Sequence, residues 1–78
     1  VLLADRGFAA QRLGRWRDAE ASFAHAAAVG RDPRYAHLAA QMARRAGDGA
    51  AERRHLRAAI AIDRMYAPAR ELLARLHG

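Results

Sequence analysis

An all-α chain is predicted from three observations. Alanine, leucine and arginine, all strong helix formers, dominate, while β-branched residues are limited to Val1, Val29, Ile60 and Ile62. Small and apolar residues recur every three or four positions in five separate stretches. Helix-ending and helix-starting residues separate those stretches, at Gly14, Asp32-Pro33 and Gly47-Asp48.

Leu2, Leu3, Arg6-Gly7, Ala9-Ala10 and Leu13 outline the first helix, which Gly14 ends. Trp16 opens the second. Asp18 and Glu20 sit in its first turn, where carboxylates complement the positive end of the helix dipole. Its predicted apolar face is Trp16, Ala19, Phe23, Ala26 and Ala27, closed by Val29. Asp32 is the expected N-cap of the third helix, with Pro33 at its first position. That helix runs to about Ala46. Tyr35, Ala39, Met42 and Ala46 form one stripe, and Ala36, Ala40 and Ala43 the next. Arg44 and Arg45 fall in its last turn, suited to the negative dipole end. Gly47 stops it, and Asp48 caps a fourth helix buried along Ala51, Leu56, Ala59-Ile60 and Ile62. After the connection Asp63-Arg64-Met65-Tyr66, Pro68 helps open a fifth helix carrying Leu72, Leu73 and Leu76 to the chain's end.

The stretches are related to one another. Gly7 and Ala40, Gly14 and Gly47, Phe23 and Leu56, and Ala26 and Ala59 are each 33 residues apart, and Ala40 and Ala74 are 34 apart. A helix-turn-helix unit of that period marks a stacked array, in which each unit buries its apolar face on the next. Gly7, Gly14, Trp16, Ala19, Phe23 and Ala26, then Ala40, Gly47, Asp48, Leu56 and Ala59, resemble the tetratricopeptide repeat. Tyr66 to Ala74 is similar to the opening helix of a third unit. The pattern departs at Leu3, Arg6 and Ala10, at Ala36, Ala39 and Ala43, at Glu52 in the slot of Ala19, and at Arg31 and Arg64 in the proline slot.

The resemblance implies a single domain over 1–78: antiparallel helix pairs stacked as a short right-handed solenoid, with unit one at about 1–32, unit two at 33–66 and a closing helix at 67–77. It implies that Gly7 and Ala40 face the helices of Ala19 and Ala51, Ala19 being the contact Gly7 meets. Glu52 is then expected to tilt toward solvent, with pairing to a nearby arginine as the alternative, because a lone buried carboxylate is costly. The function it implies is a protein–protein interaction scaffold, holding a peptide or a neighbouring domain of the same chain on its concave face. The first helix of each unit would supply that face. Its expected binding residues are Phe8, Gln11, Arg12, His37, Gln41, Arg44, Glu71 and Arg75, together with Ala4, Arg34 and Arg45. That basic, amide-bearing surface suits a peptide carrying carboxylates. Ala4, Phe8 and Leu38 stand where some members clamp a terminal carboxylate, so that particular activity is not implied. Phe8 has a second reading, packing on a helix upstream of the chain.

Other classes are disfavoured. Cysteine is absent, which removes disulfides and thiolate metal sites. His25, His37, His55 and His77 lack the spacing that aims two side chains at one metal, so they are expected on helix surfaces and no metal or cofactor is expected. Ser22, the one serine, has no sequence context for activation, and Gly47-Asp48-Gly49 lacks the lysine and spacing of a phosphate loop. No enzyme is expected. No apolar run approaches the roughly 20 residues of a membrane span, and no signal peptide is visible. The chain starts at Val1 in what looks like mid-helix, so upstream sequence is expected and the compartment stays open. All fourteen basic residues are arginine against eight carboxylates, for a net charge of +6. Lysine-free composition points to coding bias as its cause, and the arginines are spread along helices, so nucleic acid is not the expected partner. Two alternatives stand beside the scaffold: an arginine-rich helical domain binding nucleic acid or another polyanion, and a structural or oligomerisation spacer using Leu72, Leu73 and Leu76.

Overall fold

The computed structural model describes residues 2–77 and the side chains of residues 4–76. It contains five helices: α1 (Leu2–Arg12), α2 (Trp16–Gly30), α3 (Pro33–Arg45), α4 (Gly49–Ile62) and α5 (Ala67–His77). They take up 84% of the described residues, which contain no strand, so the chain is all-α. Leu2, Leu3 and His77, assigned above to helix faces, lie outside the described side chains.

The predicted punctuation is what divides the chain. Asp32 accepts the N–H of Arg34 at 3.0 Å, with Pro33 opening α3 behind it. Asp48 accepts the N–H of Ala51 at 2.9 Å at the head of α4. At the other ends, Gly14 (φ 73°) and Gly47 (φ 80°) adopt the left-handed conformation, which costs glycine little. Around each, the same pair of bonds closes the helix. Arg15 donates to the Ala10 carbonyl at 2.9 Å and Gly14 to that of Gln11 at 3.0 Å; Asp48 donates to Ala43 at 2.9 Å and Gly47 to Arg44 at 3.0 Å. Each donor and acceptor in the second set stands 33 residues after its counterpart in the first.

Each helix packs chiefly on its neighbours in the chain, α1 on α2 through α4 on α5. Alanines supply most of the core, which lets the helices approach closely; the largest fully buried side chains are Phe23, Met42 and Leu56. One apolar cluster joins Ala19, Phe23, Ala39 and Met42 with flanking Trp16 and Tyr35. The other joins Ala27, Ala36, Ala40, Leu56, Ala59 and Ala69, with Leu72 and Leu73 packed against it. Phe23 lies at the centre of an aromatic row. Phe8 meets it edge-on at 5.0 Å and Tyr35 stacks on it at 6.3 Å, so α1, α2 and α3 are tied through one ring.

Several expectations need correction. Glu52 is buried, 4% exposed, with no hydrogen-bond partner for Oε2. The helical period explains this, since Glu52, Leu56 and Ala59 fall at i, i+4 and i+7 along one buried stripe. The ring beside Gly7 is Phe23, one turn beyond Ala19. Val29 and Leu13 are exposed, at 67% and 69%. Val29 follows the Ala26–Ala27 stripe by two residues and so turns off its face, and Leu13 lies past the end of α1. Ala4 is buried because it stands one turn before Gly7, on the packed side of α1.

Candidate functional site

The end of α3 builds a cleft that gathers three of the predicted binding residues. Gln41, Arg44 and Arg45 sit at i, i+3 and i+4, on one face of the helix, and line a cleft of about 530 Å³. All three are exposed. The guanidinium of Arg45 lies over the Trp16 ring, 5.1 Å from its centroid, a cation–π contact that restrains its position. The C-terminal carbonyls of Ala43 and Arg44 are taken by the backbone N–H groups of Asp48 and Gly47. Among the described residues, neither Arg44 nor Arg45 has a side-chain hydrogen bond or a carboxylate in ion-pair range. Two cationic forks therefore face a cleft with donor capacity to spare, and an amide stands beside them. Such forks have the donor geometry that a carboxylate or another planar anion requires.

The remaining predicted residues do not converge on it. Phe8, 39% exposed, is engaged by Phe23. Gln11 is half-buried and Arg12 exposed on α1; neither lines the cleft. His37 is half-buried, its Nδ1 3.3 Å from the Tyr66 hydroxyl with the two rings edge to face. Burial lowers the His37 pKa and raises that of Tyr66. Arg34 is occupied by Asp32 at 2.8 Å. Glu71 lines a separate depression with Arg70, and Arg75 is exposed in the last turn of α5. Gln41, Arg44 and Arg45 thus remain of the expected surface.

A second polar constellation was not foreseen. Glu20, expected to serve the α2 dipole, instead turns inward and is 8% exposed. Its Oε2 meets His55 Nε2 at 2.8 Å and its Oε1 accepts from Arg17 at 2.8 Å. Arg17 also donates to Asp48 Oδ2 at 2.9 Å, so one network runs from α2 to the cap of α4. His55 is accordingly a packed, partnered residue, where a free surface position was expected. Burial pushes the Glu20 carboxyl up, but hydrogen bonds from His55 and Arg17 together outweigh it, and the pKa is lowered. The 35-residue separation of Glu20 and His55 hid the pair. The one local signal is the i, i+3 spacing of Arg17 and Glu20, which names neither His55 nor Asp48 as their partners.

Among the described residues, no group of three or more His, Cys, Asp or Glu side chains is placed to hold a metal, and no helix is long and apolar enough to cross a membrane. Comparison with known protein families, curated proteins and solved structures gives no match.

Proposed function

We propose that the chain is a tetratricopeptide-like interaction module whose α3 cleft holds an anionic segment of a protein partner. Two units of α1–α2 and α3–α4, with α5 beginning a third, would stack as a short right-handed solenoid. The support for two units lies in pairs 33 residues apart. Gly14 and Gly47 share a left-handed turn, Phe23 and Leu56 are both fully buried, and Ala19 and Glu52 both point inward.

The observation that carries the binding assignment is the Gln41-Arg44-Arg45 cleft, whose arginines have no carboxylate in ion-pair range among the described residues. Peptide carboxylates would satisfy both forks, and the Trp16 ring against the Arg45 guanidinium would restrict the motion of that side chain. The proposal includes no catalytic step and no cofactor.

Calorimetric titration with a blocked hexaglutamate peptide, and with oligothymidylate of similar charge, tests this. Saturable peptide binding with little response to the oligonucleotide at low salt is expected. Oligonucleotide binding that falls steeply with salt would replace the proposal with a general polyanion surface.

A further inference from the structure

A groove runs between α2 and α4, apart from the α3 cleft and sharing none of its lining residues. It encloses about 310 Å³, with Ala24 and Ala28 on one wall and Ala58 and Ala61 on the other. Each of those short side chains leaves the groove open where a leucine would fill it. Its two ends are polar. His55 stands at one, held by its 2.8 Å contact to Glu20. Arg31 stands at the other, beside Ile62 in the final turn of α4. From His55 to Ile62 is seven residues of helix, about 10 Å at the usual rise per residue.

Arg31 is exposed and has no carboxylate in ion-pair range among the described residues. It also occupies the left-handed closing position of α2, φ 50° and ψ 49°, where glycine is the usual residue, although Gly30 immediately precedes it. The groove therefore pairs apolar walls with a single unneutralised cation at one end, and the fixed imidazole closes the other.

We propose that this groove binds an amphiphilic aliphatic carboxylate of about octanoate length. The chain displaces water from the alanine walls and ends against the His55 ring, and the carboxylate pairs with the Arg31 guanidinium. Charge complementarity decides the orientation. An acid head group beside the buried Glu20 carboxylate is disfavoured, whereas at Arg31 it meets its only free partner in the groove.

Titrating the 15N-labelled chain with sodium octanoate below its micelle concentration, and with 1-octanol, tests the assignment. Saturable amide shifts centred on α2, α4 and Ala36 of α3, which also lines the groove, are expected for both, with octanoate binding about tenfold more tightly. Arg31→Gly, which also removes the left-handed strain and so keeps the fold, should bring octanoate down to the octanol affinity and leave octanol unchanged. Ala58→Leu, at an exposed position, should abolish binding of both while the helical melting curve stays intact. Absence of saturable shifts at the groove residues of α2, α4 and Ala36, or an octanoate affinity unaltered by either substitution, would overturn the proposal.

Discussion

The ring of Phe23 lies across the backbone of Gly7, so close that a methyl group at Gly7 would stand 2.6 Å from Cε1 and 2.8 Å from Cδ1. Phe23 is fully buried and has Phe8 and Tyr35 against it, so its ring has nowhere to retreat. Gly7 is therefore a requirement of the α1–α2 crossing, although glycine weakens a helix interior.

Gly7→Ala should destabilise the chain on that basis. The substitution gains up to about 1 kcal/mol of helix propensity but overpacks the core at a cost of about 1–3 kcal/mol. Gly30 is the control, as a Cβ there meets nothing within 4 Å. Gly30→Ala should raise the urea midpoint while Gly7→Ala lowers it. Two shifts of the same sign would refute the close approach.

Glu52→Met should stabilise. The change keeps roughly the same volume and removes a buried oxygen without a partner, a group whose burial costs about 1–3 kcal/mol. The urea midpoint should rise with an unchanged slope. A fall would mean that the Glu52 carboxyl has a partner that the described residues do not supply.

Acid should weaken the Glu20 network. A carboxyl whose folded pKa is lowered contributes stability that is present above its unfolded value, near 4.5, and lost as pH falls through the folded value. Glu20→Gln should therefore flatten the decline in stability between neutral and acid pH. Some decline persists, because Asp32 beside Arg34, and Asp48 bonded by the Ala51 N–H and Arg17, are lowered too. Parallel pH curves for the two proteins would contradict the role given to Glu20. His55→Ala, which leaves the buried Glu20 with Arg17 alone, should cost about 1–3 kcal/mol at neutral pH.

Helix limits were legible because local chemistry sets them. Asp32, Pro33, Asp48, Gly14 and Gly47 act within one turn of their own position. The 33-residue spacing likewise matched Phe23 with Leu56 in burial, because both respond to the same helical period. What failed depended on neighbours far along the chain. Burial of Glu52 was judged from the cost of its charge, while its stripe is set by Leu56 and Ala59. Glu20 seemed a dipole partner until α4 brought His55 against it. Of the expected binding face, only Gln41, Arg44 and Arg45 share a cleft, and a helical wheel cannot show that Tyr66 reaches His37 or that Phe23 holds Phe8.

Trp16, the single tryptophan, packs against the guanidinium of Arg45, so its emission reports on changes at that arginine of the α3 cleft. Titrating the chain with blocked hexaglutamate should give a saturable emission change, weakened about tenfold in Arg44→Ala and unaffected by Arg75→Ala on α5. No change at low salt, or an Arg44→Ala response equal to that of the unsubstituted chain, would contradict an anionic-peptide site on α3.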